Sequence, residues 1–400
     1  MTISLDRVLV VGAGVSGVTA VETLRRQGFA GSITQVGGET HLPYDRPPLS
    51  KQILTGAWET DRLTLRDNAA FERLGVDLRL GARAVGLDVN ERTLALHTGE
   101  SLRYDGLIIA TGVGPRRLPT GHDLAGVHVL RTIDDAIALR ESLRPGGRLV
   151  VIGAGLIGCE VAASAQKAGL QVCIVDPLAV PMMRQLGEDI GQQVAALHRH
   201  HGVDVRCGVT VRRLVGDRSV TGVELTSGTV LPADLVLVAI GSAPSTDWLA
   251  DSGLPLEDGV VCDSTCRAAP GVYAAGDVAR WWHPTLGSHI RVEHRLNATE
   301  QAVAAATNLL GAGVPFTPVP YFWTDQYDTR IQAYGTFPLG CTATIVRGDP
   351  REGRFIAHYT HHEHITGVLG WNMAKALLAE RAHIGQPTAH ARSTSMSPVQ

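Results

Sequence analysis

The sequence predicts an α/β protein made of two βαβ-cornered domains with a small α+β domain behind them. Three observations carry this. The run Gly12-Ala13-Gly14-Val15-Ser16-Gly17 returns as Gly153-Ala154-Gly155-Leu156-Ile157-Gly158. Each copy follows an apolar, β-branched run and opens a stretch with helical spacing. After Phe316 the pattern changes to short alternating segments, the mark of an antiparallel sheet.

Taken in order, Arg7 to Val11 reads as the first strand, and Val15, Val18, Val21 and Leu24 recur at helical spacing until Gly28 stops the helix. Ile33 to Val36 is the next strand. The same order recurs with a strand at Arg148 to Ile152, a helix to about Ala168, Gly169 as stop, and a strand at Gln171 to Val175. Between the copies lie alternating segments such as Leu94 to His97, then a buried strand, Leu107 to Ala110, running into Thr111-Gly112. A matching strand, Leu235 to Ile240, closes on Gly241. Behind Val272 to Asp277 a helix is expected from about Asn297 to Leu310, then a glycine-rich linker at 311–315. Strands are expected at Arg330–Tyr334, Thr342–Val346, Arg354–Tyr359 and Gly367–Leu369, with a helix near Ala374–Arg381. The expected domains are 1–115 joined to 242–313, then 116–241, then 314–385. The polar, Pro- and Ser-bearing tail 386–400 is expected to be disordered.

Composition narrows the function classes. A hydrophobic share of 44%, a charged share of 19% and a mean hydropathy of +0.07 describe a globular chain with ample volume for real cores. A net charge of −3 offers no global attraction to nucleic acid, and no apolar run is long enough for a membrane span. With no basic leader and apolar signal core ahead of the first strand, the expected address is the cytoplasm. The six cysteines are scattered, unlike a secreted disulfide framework, and none precedes Cys159.

The glycines carry chemistry. In such a fingerprint the first (Gly12, Gly153) permits the tight turn. The second (Gly14, Gly155) lets a pyrophosphate approach the backbone, and the third (Gly17, Gly158) lets helix and strand pack closely. The helix N-terminus then offers N–H groups and a positive dipole end to phosphate. Two Rossmann-like cradles in one chain point to two dinucleotides, one passing electrons to the other. In the second copy Asp176 ends the next strand, where a carboxylate accepts from both ribose hydroxyls and repels a 2′-phosphate. No arginine follows it until Arg184, which favours NADH over NADPH. In the first copy only Glu39 offers an acid, slightly late, after Gly37-Gly38.

Longer motifs are more specific. His41-Leu42-Pro43-Tyr44-Asp45-Arg46-Pro47-Pro48-Leu49-Ser50-Lys51, Leu130-Arg131-Thr132, Ala275-Gly276-Asp277, Arg291-Val292-Glu293-His294 and Tyr321-Phe322-Trp323-Thr324-Asp325-Gln326-Tyr327 stand in this order. Together they resemble the FAD-dependent NADH:ferredoxin reductases, the putidaredoxin-reductase-like branch of the pyridine nucleotide-disulfide oxidoreductases that lacks redox cysteines. The resemblance runs from residue 5 to about 372. It implies a glutathione-reductase-like FAD domain interrupted by an NAD domain, then an interface domain. It also implies FAD contacts at Gly14, Ser16, Arg46, Lys51, Ala84, Arg131, Asp277 and Arg295.

Physical chemistry fits several of these. Arg46 and Arg131 could neutralise pyrophosphate charge. Asp277, behind Gly276 and before a helix, could accept a ribityl hydroxyl. Gly38 stands where relatives carry a ribose-binding acid, so Glu39 is the substitute, and Arg295 stands at a variable position, where the contact is expected through backbone. Gly241 is expected to line the nicotinamide side. The resemblance places Glu160, on the second fingerprint helix, against Lys51 near the flavin, where an ammonium would stabilise negative charge on the reduced ring. Trp323, with Tyr321 and Phe322, would line an electron exit route, although aromatics in a strand are equally core.

The remaining cysteines and histidines carry no assigned chemistry. Cys262 and Cys266 read as buried thiols and Cys159 as a packing residue. His361-His362-Glu363-His364 reads as a solvated hairpin tip, and His198, His200 and His201 as partly charged imidazoles suiting a helix C-terminus. No metal site is expected. The expected function is NADH-dependent, FAD-mediated reduction of an iron–sulfur ferredoxin that serves a haem monooxygenase or a ring-hydroxylating dioxygenase, by a monomer or weak dimer. The alternatives are an NADH diaphorase acting on quinone or oxygen, and a slow-turnover flavin scaffold or signalling protein.

Overall fold

Strand Arg7–Val11 lies between Ser32–Val36 and Gly106–Ile109 in the computed structural model, which describes residues 5–388. Both neighbours pair with it in parallel, Val8 opposite Ile33 and Val10 opposite Ile108. Parallel strands are covered on both faces, which is why these segments read as unbroken apolar runs. The full sheet has six strands, in the order Arg267–Ala269, Val272–Ala274, Gly106–Ile109, Arg7–Val11, Ser32–Val36, Val76–Arg79; only the first pair is antiparallel. It belongs to a compact unit of, among the described residues, 5–46, 60–114 and 242–318. Helix Val15–Arg26 packs on helix Arg295–Leu309, and the Ser16 hydroxyl donates to the Ala298 carbonyl at 3.0 Å. Trp281 is fully buried, with its indole N–H on the Phe316 carbonyl.

One local expectation in this unit is corrected. Asp277 is followed by a turn and strand Ala279–His283, and the helix begins only at Arg295. The intervening residues form a small sheet in which Val260–Cys262 and Ser288–Ile290 flank Ala279–His283, because alternation at Trp281 and His283 buries one face.

The second unit comprises residues 47–59, 115–241 and, among the described residues, 319–388. Its parallel sheet runs Asp204–Cys207, Gln171–Asp176, Arg148–Ile152, Leu235–Val238, Val127–His128. Its antiparallel sheet runs Tyr321–Gln326, Thr329–Gly335, His364–Trp371, Arg354–His361, Thr342–Asp349, with helix Ala374–Glu380 behind it. Segment 47–59 falls in this unit rather than with residues 1–46, since Leu54 enters a core with Cys159, Phe322, Ile331 and Trp371. The His361–His364 hairpin forms as anticipated, with His362 and Glu363 both at positive φ, the twist that a two-residue turn requires. The expected disordered tail begins in described structure: Ile365 donates to the Gln386 carbonyl and Thr388 to that of Glu363. The rest of it lies outside the described residues.

Candidate dinucleotide sites and a buried ion pair

The two fingerprints are built alike, and their glycines separate by what a side chain would meet. A Cβ on Gly17 would lie 1.9 Å from the Gly12 carbonyl oxygen, and one on Gly158 1.9 Å from that of Gly153. Gly12 and Gly153 themselves sit at φ of +125° and +106°, with the backbone of Ala110 and of Ala239, each just past a neighbouring strand, close behind. These four glycines are required by the protein's own packing. The middle glycines are not: around a Cβ on Gly14 or Gly155 no atom beyond the adjoining stretch of chain comes within 4 Å. Both have extended backbone and cap a helix without any side-chain acceptor for its first N–H groups. Open space beside unsatisfied helix N–H groups is what a pyrophosphate fits.

Asp176 stands at the end of its strand, where Oδ2 accepts from the Ala154 N–H at 2.7 Å and Oδ1 from the Leu178 N–H at 2.8 Å. It thereby ties the fingerprint turn to the strand that would hold the ribose. Arg184 is exposed on the helix Met183–His200. Gly241 is at φ +98° and its carbonyl accepts from the Arg116 N–H.

In the first unit Glu39 accepts from the Tyr44 hydroxyl at 2.6 Å and from Arg46 at 2.7 Å. Arg46 also lies over the Tyr44 ring. Burial works against the Arg46 charge, but the Tyr44 hydroxyl and the Glu39 carboxylate outweigh it and hold its pKa above the ordinary value. Gly276 packs on Ser16, and its N–H donates to Gln301, which fixes the turn that presents Asp277. Arg295 is the first residue of its helix; its side chain reaches Asp45 and Thr299, leaving its backbone N–H at the uncapped end. Ala84 opens strand Ala84–Asp88, half-buried.

In the second unit Lys51 and Glu160 meet. Lys51 lies in a π-helical turn, Leu49–Ile53, and its Nζ is 2.8 Å from Glu160 Oε2; the side chains are 14% and 5% exposed. The Ser50 hydroxyl donates to the same oxygen, and the Thr324 hydroxyl donates to Oε1 at 2.8 Å. Ser164 of the same helix holds the Ser50 carbonyl at 2.7 Å. A carboxylate taken out of water is tolerable only when paired and hydrogen-bonded, and this one has three donors. Ser50 and Thr324 were missed from sequence; each is adjacent to a singled-out residue, Lys51 and Trp323. Trp323 is half-buried and stacks on Tyr321 with centroids 6.0 Å apart. Arg131 directly precedes Thr132, which caps helix Ile133–Ser142 in a reciprocal box with Asp135.

The histidines and cysteines need one correction. His198 does not serve a helix dipole as a charged group; it is fully buried, and burial pushes its imidazole down to about 4. All six cysteines are free thiols, and burial raises the pKa of every one. Among the described residues His358, Glu380 and His383 come together, the carboxylate 2.8 and 3.0 Å from the two rings, and pin the last helix to its sheet.

Paired glycine cradles, an acid beside each, and a Lys–Glu pair sunk into the fold define an oxidoreductase that handles two dinucleotides. Residues 6–306 match the pyridine nucleotide-disulphide oxidoreductases and 321–398 match the reductase C-terminal domain. The chain belongs to the pyridine nucleotide-disulphide oxidoreductase family. It is 36% identical over 377 residues to rhodocoxin reductase from Rhodococcus erythropolis, covering 94% of this chain and 88% of that one. It is 38% identical over 352 residues to the ferredoxin–NAD(+) reductase component of the biphenyl dioxygenase system of Paraburkholderia xenovorans, covering 88% and 86%. Among solved structures it superposes on a covalent putidaredoxin reductase–putidaredoxin complex with a TM-score of 0.91 at 33% identity, covering 96% of this chain and 93% of that one.

Proposed function

We propose that this chain is an FAD-dependent NADH:ferredoxin reductase that supplies electrons to an oxygenase system through an iron–sulfur partner. The observation that carries it is the turn Leu49-Ser50-Lys51-Gln52-Ile53, which contains no sulfur and whose Lys51 pairs with the buried Glu160. A relay through a dithiol would need two reactive cysteines; these six are scattered free thiols, three buried and three half-buried, and burial raises the pKa of each. Bound FAD supplies the conversion of a two-electron donor into single electrons, which a ferredoxin requires.

The protein's own contribution is to bind, orient and charge. We assign FAD to the fingerprint at Gly12, Gly14 and Gly17, with Ser16, Glu39, Arg46, Ala84, Gly276, Asp277 and Arg295 around it, in the domain formed by 1–115 and 242–313. NADH is assigned to Gly153, Gly155, Gly158, Asp176 and Gly241 in domain 116–241, where the Asp176 carboxylate accepts from ribose hydroxyls and repels a 2′-phosphate. Lys51 presents a positive charge from a site where electrostatic effects exceed those in water, and Glu160 orients it. Arg131 adds positive charge for a pyrophosphate. Tyr321 and Trp323, stacked on the 314–385 domain, offer a polarisable surface for electron exit to the partner. No described helix is long and apolar enough to cross a membrane, and we place the activity in the cytoplasm.

Cytochrome c reduction by NADH, measured with and without an added [2Fe–2S] ferredoxin, tests the assignment. Strong dependence on the ferredoxin is expected. Equal rates with quinone or oxygen alone would turn the reading to a diaphorase, and slow turnover with every acceptor would turn it to a flavin scaffold.

A further inference from the structure

We propose that Thr324, Gln326 and His198 are positioning residues for the Lys51–Glu160 pair, forming one directional string of hydrogen bonds that ends on the Glu160 carboxylate. The string rests on the reading of that pair as part of the electron-transfer site.

Its geometry is continuous. Thr324 Oγ1 is 2.8 Å from Glu160 Oε1, Gln326 Nε2 is 3.3 Å from Thr324 Oγ1, and Gln326 Oε1 is 2.9 Å from His198 Nε2. His198 Nδ1 is 3.0 Å from the Tyr327 hydroxyl, and the Tyr327 ring stacks on His201 at 3.7 Å. Thr324, Gln326 and His198 are all fully buried. Strand alternation explains the placement, because Phe322, Thr324 and Gln326 share the inward face of Tyr321–Gln326. Two polar side chains thus stand where that strand would otherwise carry core residues, and a buried polar group is costly unless it is bonded.

The direction of every bond follows from the far end. A carboxylate paired with Lys51 only accepts, so the one Thr324 proton points at Glu160. Thr324 Oγ1 must then accept, which orients the Gln326 amide with its NH₂ toward Thr324; the same nitrogen lies 3.6 Å from Met182 Sδ, a weak acceptor. Gln326 Oε1 is left facing His198, whose Nε2 must carry a hydrogen. The ring is neutral in this site, so Nδ1 accepts from Tyr327. Aligned donors of this kind polarise one another and favour negative charge at the terminus. The charged or titratable groups near the outer end are Lys167, whose Nζ holds the Tyr327 carbonyl at 2.8 Å, with His200, His201, Asp328 and the Cys159 thiol. Nothing in the NADH or FAD assignments uses these residues.

The experiment compares holoenzymes of the wild type with Lys51→Met, Thr324→Val, Thr324→Ser and Gln326→Leu. The readouts are flavin reduction by saturating NADH in stopped flow, the NADH dissociation constant, the flavin midpoint potential, and long-range ¹H–¹⁵N spectra of labelled histidine in the wild type. We expect Thr324→Val to slow reduction about tenfold, the loss of one hydrogen bond to a charged group, and Gln326→Leu, which acts through the neutral Thr324 hydroxyl, to slow it about threefold. The NADH dissociation constant should stay put, the potential should shift, and Thr324→Ser should restore the rate. His198 should show the Nε2–H tautomer at neutral pH. An Nδ1–H tautomer or a doubly protonated ring overturns the proposal without any variant. Rates within twofold of wild type for Thr324→Val and Gln326→Leu, with Lys51→Met slowed, also overturn it while sparing the ion pair. If Lys51→Met itself is unimpaired, the reading of the pair fails and the string falls with it.

Discussion

Gly155→Ala and Gly158→Ala, three residues apart in one turn, should fail in opposite ways. Gly155 has φ −77° and ψ −170°, which alanine adopts freely, and its added Cβ touches no atom beyond the adjoining stretch of chain. Folding should be unharmed, or helped by about 0.4–1 kcal/mol through the reduced freedom of the unfolded chain. The methyl group would, however, occupy the path of the NADH pyrophosphate. Displacing a phosphate from helix N–H groups should weaken binding at least about tenfold, roughly 1.4 kcal/mol. Gly158→Ala places its Cβ 1.9 Å from the Gly153 carbonyl oxygen, a backbone atom in a tight turn. The helix must move off the sheet, an overpacking cost of about 1–3 kcal/mol that outweighs alanine's better helix propensity. Thermal melts of the flavin-loaded proteins give stability, and stopped-flow titration gives the NADH dissociation constant. The reasoning is refuted if Gly155→Ala melts as early as Gly158→Ala, or binds NADH as tightly as wild type.

Three further outcomes are expected. Asp176→Asn should narrow the preference for NADH over NADPH in steady-state comparison, since it removes the charge that repels a 2′-phosphate while keeping an acceptor for the Ala154 N–H. Acid should destabilise the wild type more than His198→Gln in melts at stepped pH. The ring titrates near 6.5 unfolded but at about 4 folded, so the unfolded state binds more protons between those values. Its stabilisation is therefore complete above pH 6.5 and falls by about 3 kcal/mol as the pH drops to 4. Finally, iodoacetamide under native conditions should leave flavin reduction unchanged, because burial disfavours the thiolate at each cysteine; a loss of hydride uptake that tracks alkylation would restore a thiol relay.

The two cradles were legible because everything that makes them is local. A strand, three glycines and the next helix lie within one short stretch of chain, and steric rules tie each glycine to its job. The small antiparallel sheet was legible for the same reason, period-two alternation along strands such as Thr329–Gly335. Two readings failed where neighbours in space mattered more than neighbours in sequence. His198 looked like a dipole partner at a helix end, yet strand Tyr321–Gln326 covers it and brings Gln326 against its ring. Asp277 reads as standing directly before a helix, but the residues after it pair as strands first and that helix begins at Arg295.

By itself, then, the amino-acid order determined the two glycine turns and the strand and helix that flank each. It also determined that no sulfur stands beside Lys51. Only the tertiary structure decided what surrounds Glu160. Its three donors come from two segments that lie 109 to 164 residues away along the chain. No periodicity links such positions, and only the packing that buries the carboxylate compels them to meet, because a charge withdrawn from water must find its partners within the fold.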